Sequence, residues 1–188
     1  TCTQGAMGAF AWGIGSTEAE HALATGTLRV NRPKTMRARF DGRLAPGVTA
    51  KDLSLALIGQ YGSVGGNGYV VEYAGSAVAA LEIEARLTLC NMATEFSAVT
   101  GLIAPDEKTI AYLHGRCYAP RGKHWDRAVA EWRRLRSDDD ARFDREIAID
   151  AGALAPMVTW GTSPQHVVPV TATVPDLEHS GTTREAYD

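Results

Sequence analysis

The residues best suited to chemistry lie together in LTLCNMATEFSAVTGLIAP, which spans positions 87–105. This segment holds Cys90, Asn91 and a single acid, Glu95, within an otherwise apolar run. A carboxylate buried among apolar side chains is unfavourable unless a positive charge, a metal or a hydrogen-bond donor meets it. Glu95 is therefore the first candidate functional residue. The alternative from periodicity alone is that Glu95 lies on the solvent-facing side of a helix.

The cysteines do not form a recognisable reactive or metal-binding pattern. Cys90 could act as a nucleophile, but its apolar neighbours would raise the pKa of the thiol, so we interpret it as a buried structural residue. Cys2, Cys90 and Cys117 are odd in number and widely spaced. That usage suits a reducing compartment and offers no paired metal motif. We therefore expect a cytoplasmic or organelle-matrix protein.

Other catalytic and nucleotide-binding motifs are missing from the sequence. Five scattered histidines form no HExxH spacing, and there is no GxSxG elbow. The glycines of Gly62–Gly68 come after a predicted helix and before a predicted strand. A phosphate loop needs the opposite order, strand then glycines then helix, and a P-loop also needs Gly-Lys-Ser/Thr. We therefore interpret this cluster as a turn into a strand.

Bulk properties restrict the class of protein. The 188 residues carry a formal net charge of −3, which gives no electrostatic reason to expect nucleic acid or an anionic membrane as partner. Two long uncharged stretches, 1–17 and 53–71, are interrupted by glycines and polar residues that hydrocarbon would not accept. The chain opens without Met in a glycine-rich segment and closes in a polar run. We expect it to be a piece of something longer.

The apolar pattern predicts strands that alternate with helices, which is typical of a layered α/β domain. Met36, Ala38 and Phe40 alternate with charged residues as in a strand with one solvated face. Thr49 and Asp52 resemble the capping box of a helix that follows. At the amino terminus the sequence predicts a pair of helices joined at 13–15, with Ser16 as the N-cap of the second. Further strands are predicted at 69–73, 101–104 and 143–149. Further helices are predicted from Ser76, within 83–99, from Pro105 to Gly115, and around 125–132.

Six segments, taken in order, resemble one protein family. They are GAMGAFAWGIGSTEAEHALATGTL, PKTMRARFDGRLAPGVTAKDLSLALIGQYG, GGNGYVVEYAG, LTLCNMATE, GLIAPDEKT and APMVTWGTSP. Together they are similar to the large subunits of the 3-isopropylmalate dehydratases, a branch of the aconitase superfamily of iron–sulfur hydro-lyases. EIEARLT departs from the family's usual SMEGRMT and replaces a glycine by Ala85.

The resemblance implies an aconitase-type layered α/β domain with a mixed β-sheet flanked by helices. We expect residues 1–34 to be the carboxyl-terminal part of a first domain, residues 35–156 to be the second domain, and residues 157–188 to be a linker towards a third. The family's NM-x-x-E motif matches Asn91, Met92 and Glu95. Asn91 is expected beside the family's [4Fe–4S] cluster without being a ligand. Glu95 is expected to be catalytic, moving a proton or orienting the leaving oxygen.

The resemblance also implies what the chain lacks. The family's Asp-Ser-His triplet would precede Thr1, and the cluster-binding cysteines, in GSCTNSR and a later Cys-x-x-Cys, would follow Asp188. Cys2, Cys90 and Cys117 match none of these. We therefore expect no metal ligand in this chain, no cluster bound to it alone and no turnover by it alone.

The expected parent protein interconverts 2-isopropylmalate and 3-isopropylmalate by dehydration and rehydration, a step of leucine biosynthesis. Its expected partners are a separate small subunit and a hydroxy-dicarboxylic acid substrate, with neither nucleic acid nor membrane. Two alternatives stay open at this point. One is a homoaconitase or related hydroxy-acid dehydratase, and the other is a non-catalytic binding or scaffold module.

Overall fold

The structure, a computed structural model, describes residues 2–173. Its helices are α1 (Ser16–Thr25), α2 (Ala50–Tyr61), α3 (Ser76–Ala80), α4 (Ile83–Asn91), α5 (Glu107–Leu113) and α6 (Lys123–Trp132). Its strands are β1 (Lys34–Asp41), β2 (Tyr69–Ala74), β3 (Thr100–Leu102), β4 (Arg145–Asp150), β5 (Met157–Thr159) and β6 (Val167–Pro169). Three short 3-10 helices occupy Thr3–Met7, Arg133–Leu135 and Ala151–Ala153.

The central sheet has four strands in the order β3-β2-β1-β4, and every neighbouring pair in it is parallel. The layered α/β fold expected from the sequence is confirmed. The expectation of a mixed sheet is wrong for this sheet. The antiparallel pair in the described part of the chain is β5 with β6, which forms a separate two-stranded sheet.

One face of the central sheet builds the core. Alternate residues of β1 are fully buried, while those between them are charged. The same alternation continues in register across the sheet, so that Ala38 lies opposite Tyr73 of β2 and Ile147 of β4. The helices α2 and α4 complete this core with buried side chains that include Leu53, Leu57, Leu89 and Cys90.

The other face carries charges, which is unusual for a parallel sheet, because such sheets are normally covered by apolar side chains on both faces. Arg37 on β1 pairs with Glu72 on β2 at 3.2 Å, and its guanidinium lies 4.0 Å from the ring centroid of Phe143. The charges of this face therefore pair with one another and with the segment that leads into β4.

The amino-terminal segment belongs to the same core. Cys2 and Ala6 are fully buried, and the backbone N–H of Ile103, just after β3, donates to the carbonyl of Gly5 at 2.9 Å. A Cβ on Gly5 would lie 1.8 Å from the carbonyl oxygen of Gly101, so the two backbones touch. The second helix, α1, starts as expected near Ser16, although its N-cap is Gly15. The domain boundary near residue 34 stays a prediction.

The carboxyl-terminal hairpin packs on α2. The backbone N–H of Met157 donates to Asp52 at 2.7 Å, and a Cβ on Gly59 would meet Val167 at 2.5 Å. The linker expected at 157–188 lies partly outside the described residues, as does His179, and its role as a linker stays a prediction.

Candidate active site

The strand order reverses at β1, and in such open sheets ligands usually bind at the carboxyl ends of the strands beside that point. Here this crevice is filled by loops. The N–H of Gly42 donates to Ser76 Oγ at 2.9 Å, and the N–H of Ser76 donates to Asp41 Oδ1 at 3.0 Å. A Cβ on Gly42 would lie 2.9 Å from the nitrogen of Gly152. The usual nucleotide crevice is therefore closed, in agreement with the absence of a dinucleotide fingerprint.

A pocket of about 440 Å³ does open near the carboxyl ends of β2 and β3. Four arginines line it, but each is already paired with an acid. The pairs are Arg37–Glu72, Arg39–Asp41, Arg86–Asp106 and Arg136–Asp139. This pocket therefore offers a ligand no unneutralised guanidinium.

The predicted motif lies at the opposite, amino-terminal edge of the sheet. Asn91 is the last residue of α4, and Glu95 lies in the turns that lead to β3. The helix expected within 83–99, with Cys90 to Glu95 on it, therefore ends at Asn91. Beyond it the backbone makes tighter turns, with Ala93 N–H donating to the carbonyl of Cys90 at 3.3 Å, and Ser97 then adopts a left-handed φ of 60°.

Glu95 is exposed, whereas Ala93, Phe96 and Ala98 on either side of it are buried. The turns after α4 thus separate the apolar residues from the acid. The expectation that the apolar run buries Glu95 is wrong for this chain. The alternative of a solvent-facing acid is right about exposure but wrong about the helix. Its assignment as the catalytic residue stays a prediction, as does that of Asn91 beside a cluster.

Phe96 explains the glycines that precede β2. Its ring is fully buried against Gly65 and Gly66, where an added Cβ would lie 2.5 Å and 2.7 Å from ring carbons. The N–H of Gly66 also donates to the carbonyl of Phe96 at 2.9 Å. We call Gly65 and Gly66 the glycine seat. The interpretation of this cluster as a turn into a strand is confirmed, and its composition follows from the need to admit an aromatic ring.

The start of the chain lies against the same motif. The thiol of Cys2 donates to the carbonyl of Cys90 at 2.7 Å and lies 3.6 Å from the carbonyl of Asn91. Burial raises the pKa of the Cys90 thiol, and the neighbouring Cys2 adds to that rise. The interpretation of Cys90 as a buried and unreactive residue is therefore supported.

The Glu95 carboxylate accepts a hydrogen bond from its neighbour Thr94. The Thr94 hydroxyl lies 2.8 Å from Glu95 Oε2 and 3.0 Å from the carbonyl of Asn91. Thr94 and Ser97 also line a cleft of about 770 Å³ at the amino-terminal edge, together with Asn67 and Gly68 of the turn before β2. Thr94, which precedes Glu95, and Ser97, just after the motif, therefore border an open cleft, whereas Asn91, Met92 and Glu95 do not line it.

Arg86 was not singled out from the sequence, yet it fixes the orientation of α4. It is fully buried, with Nε donating to the carbonyl of Leu81 at 3.1 Å and Nη2 donating to Asp106 at 2.6 Å. Burial alone would raise the pKa of Asp106, but hydrogen bonds from Arg86 and Thr109 outweigh it and lower that pKa. One sequence signal could have revealed its burial. Ile83, Arg86 and Cys90 have the spacing of residues on one face of a helix, and Arg86 is the only charged residue of the three.

The described residues do not fit an iron–sulfur cluster, whose irons are held by cysteine thiolates. Cys2 and Cys90 are buried in the core, and Cys117 is exposed. Across residues 2–173, no three His, Cys, Asp or Glu side chains come together in a way that could hold a metal ion.

Within the same residues, none of the helices combines the length and the hydropathy that a membrane span requires.

Two comparisons with known proteins address the family. The sequence model of the family described as "Aconitase family (aconitate hydratase)" matches residues 1–187. The chain is 60% identical over 176 residues to a protein of Bradyrhizobium diazoefficiens named "3-isopropylmalate dehydratase large subunit 1". That alignment covers 94% of this chain but only 37% of the relative, so the chain spans little more than a third of the relative's length.

Proposed function

The chain belongs to the aconitase family, and from that premise we propose that it is part of the large subunit of a 3-isopropylmalate dehydratase. The complete protein would be a hydro-lyase that interconverts 2-isopropylmalate and 3-isopropylmalate by removing and adding water. The 60% identity to a relative named as that subunit supports this choice. Because the chain spans 37% of that relative, the activity is proposed for the complete protein.

The observation that carries the proposal is the placement of the NM-x-x-E motif. Glu95 is exposed on turns whose neighbouring residues are buried, and Thr94, the residue before it, lines a cleft. An acid that faces outward from a fixed loop can exchange a proton with a substrate held by other parts of the protein. We propose that Glu95 accepts or donates that proton at its carboxylate oxygen. Asn91, which ends α4, would lie beside the cofactor without binding it.

The cofactor proposed for the complete protein is a [4Fe–4S] cluster, which in this family supplies a Lewis-acidic iron. The thiols of residues 2–173 do not fit it, so its ligands would come from elsewhere in the complete protein. We therefore expect that residues 1–188, incubated with iron and sulfide, form no stoichiometric cluster. Absorbance of a thiolate-held cluster at one per chain would contradict this assignment.

The proposed partners are a small subunit, implied by the words "large subunit" in the relative's name, and a hydroxy-dicarboxylic acid substrate. We also propose a cytoplasmic location, since all three cysteines are free. The proposed domain division keeps residues 1–34 with a first domain, residues 35–156 as a second domain and residues 157–188 as a connection to a third.

The test is an activity assay on the complete reading frame, co-expressed with its small subunit. We expect interconversion of the two isopropylmalates, followed by chromatography, and no comparable turnover of homoaconitate. Preference for homoaconitate would replace the proposed substrate while keeping the reaction class. If the reading frame lacks both the Asp-Ser-His triplet before Thr1 and the cysteines after Asp188, the enzymatic proposal fails. A binding or scaffold role would then take its place.

A further inference from the structure

Glu95 lies between Thr94, which hydrogen-bonds its carboxylate, and Phe96, whose ring is buried in the core. We propose that Phe96 and Thr94 are positioning residues for Glu95, Phe96 by fixing the backbone of the loop and Thr94 by orienting the carboxylate. This inference rests on the proposed function, because it concerns how the proposed catalytic acid is held. Thr94 occupies the second unspecified position of the NM-x-x-E motif, and Phe96 directly follows the motif.

Phe96 anchors the turns between α4 and β3 in the core. Its fully buried ring fills the space above the glycine seat, and its carbonyl accepts the N–H of Gly66 at 2.9 Å. Phe96 is thus held both through its side chain and through its backbone carbonyl. Because Glu95 is the residue immediately before Phe96, the direction of its side chain follows from this anchor.

The glycine seat is itself held in place. The side-chain oxygen of Gln165, between β5 and β6, accepts hydrogen bonds from the N–H of Ser63 at 3.2 Å and from its hydroxyl at 3.1 Å. Arg145 Nη1 donates to the carbonyl of Gly65 at 3.3 Å. The carboxyl-terminal hairpin and β4 therefore support the turn on which Phe96 rests.

Thr94 orients the side chain of Glu95. Its hydroxyl has one proton and two acceptors within reach, the Glu95 carboxylate at 2.8 Å and the Asn91 carbonyl at 3.0 Å. The Asn91 carbonyl also lies 3.4 Å from the N–H of Thr94 and 3.6 Å from the thiol of Cys2. Donation to the carboxylate is the charge-assisted choice and is the stronger of the two. The hydroxyl then selects the Glu95 rotamer that points to Thr94, at the border of the cleft.

The experiment uses the complete large subunit with its small subunit and cofactor. Thr94→Val keeps the shape of the side chain and removes the hydroxyl. We expect kcat to fall about tenfold, with KM changed by less than about twofold, as for an interaction that matters mainly in the transition state. Thr94→Ser restores the hydroxyl and is expected to recover most of kcat. Because Thr94 is exposed, the thermal midpoint should stay unchanged.

Thr88→Val is the matched control. Thr88 is also exposed, lies on α4 just before these turns and donates its hydroxyl to a backbone carbonyl, that of Glu84, at 3.2 Å. We expect it to leave kcat unchanged. If Thr94→Val and Thr88→Val lower kcat equally, or if Thr94→Ser fails to recover activity, Thr94 has no positioning role.

Phe96→Leu tests the second residue. We expect the protein to fold, with kcat reduced more than KM is changed, and we expect Thr94→Val to have a much smaller effect in that background because the two substitutions disorient the same acid. Full additivity of the two effects on kcat would overturn a shared role.

Glu95→Gln distinguishes failure of the positioning inference from failure of the proposed function. If Glu95→Gln is inactive while Thr94→Val and Phe96→Leu are fully active, the positioning inference fails and the proposed function stands. If Glu95→Gln is fully active, the proposed role of Glu95 fails.

Discussion

At the scale of single residues, Glu95 shows how one side chain can be surrounded by apolar sequence and still be exposed. The turns after α4 direct Phe96 into the core and leave Glu95 outside. In the complete enzyme, we expect Glu95→Gln to fold normally and to lose turnover by about a hundredfold or more, the usual scale for a general acid–base group. Circular dichroism and steady-state kinetics on the same preparation check this. Loss of folded protein with normal specific activity in the remainder would instead assign Glu95 a structural role.

Arg86 presents the opposite case, a charge on an apolar helix face that is fully buried. Arg86→Met would remove the guanidinium that donates to the carbonyls of Ala79 and Leu81 and to Asp106 Oδ2. We expect the free energy of unfolding to fall by about 3 kcal/mol, the scale for removing one partner of a buried ion pair. Urea denaturation measures it.

Arg136→Met is the control for Arg86, because the side chains of Arg136 and Asp139 are 70% and 93% exposed. We expect a change of less than about 1 kcal/mol, as for other surface ion pairs. Equal losses in the two variants would show that burial of Arg86 is not what stabilises the α3–α4 corner.

At the scale of elements, Asp52 joins the first turn of α2 to the hairpin. Its carboxylate accepts from the N–H and hydroxyl of Thr49, each at 2.7 Å, and from the N–H of Met157 at 2.7 Å. Burial alone would raise the pKa of Asp52, but these hydrogen bonds outweigh it and lower that pKa. Asp52 therefore stabilises the fold above its unfolded pKa, and this contribution is lost as the pH falls through the lowered folded value.

Asp52→Asn should remove that contribution. We expect it to lower the free energy of unfolding by about 1–3 kcal/mol at pH 7. The deficit should begin to shrink as the pH falls below about 4, the pKa of an unfolded aspartate, and should be lost once the pH has passed the lowered folded pKa of Asp52. Chemical denaturation of both proteins across that range measures the difference. A deficit that is constant with pH would mean that charge at position 52 is unimportant.

The elements also show how far sequence patterns reach. The alternation around Met36 and Phe40, the capping box at Thr49 and the helix around 125–132 follow from patterns within short segments, and all three are confirmed. The path of the turns after α4 could not be predicted this way, because Phe96 in these turns packs on the glycine seat, about 30 residues away in sequence. The mixed sheet was expected from the resemblance, and residue patterns could not correct it, since alternation with a charged face is typical of antiparallel strands.

At the scale of the whole molecule, the resemblance to a family predicted more than periodicity did. Periodicity identified a layered α/β domain with one unusual acid, and the order of six segments then identified the family that the comparisons show. Residue patterns could not give the position of the site, because the motif lies at the amino-terminal edge of the sheet while parallel sheets usually bind ligands at the other edge.

The burial of Cys2 under α4 offers a simple measure of the integrity of the molecule. Cys117 is exposed, whereas Cys2 and Cys90 are buried. In native buffer we expect a thiol reagent to modify Cys117 rapidly and the other two only after unfolding, which mass spectrometry of the labelled chain can follow. Early labelling of Cys2 without Cys90 would show that the amino-terminal segment detaches while the core stays folded.

The docking of that segment also has a consequence for how the chain avoids self-association. β3 is an edge strand, and an uncovered edge can pair with a strand from another copy and start aggregation. The 3-10 helix at Thr3–Met7 lies against this edge and, being irregular, presents no strand of its own to a neighbour. Because synthesis begins at the amino terminus, the segment that covers this edge has already been made when β3 leaves the ribosome. It is therefore available to dock on the edge strand as the sheet assembles.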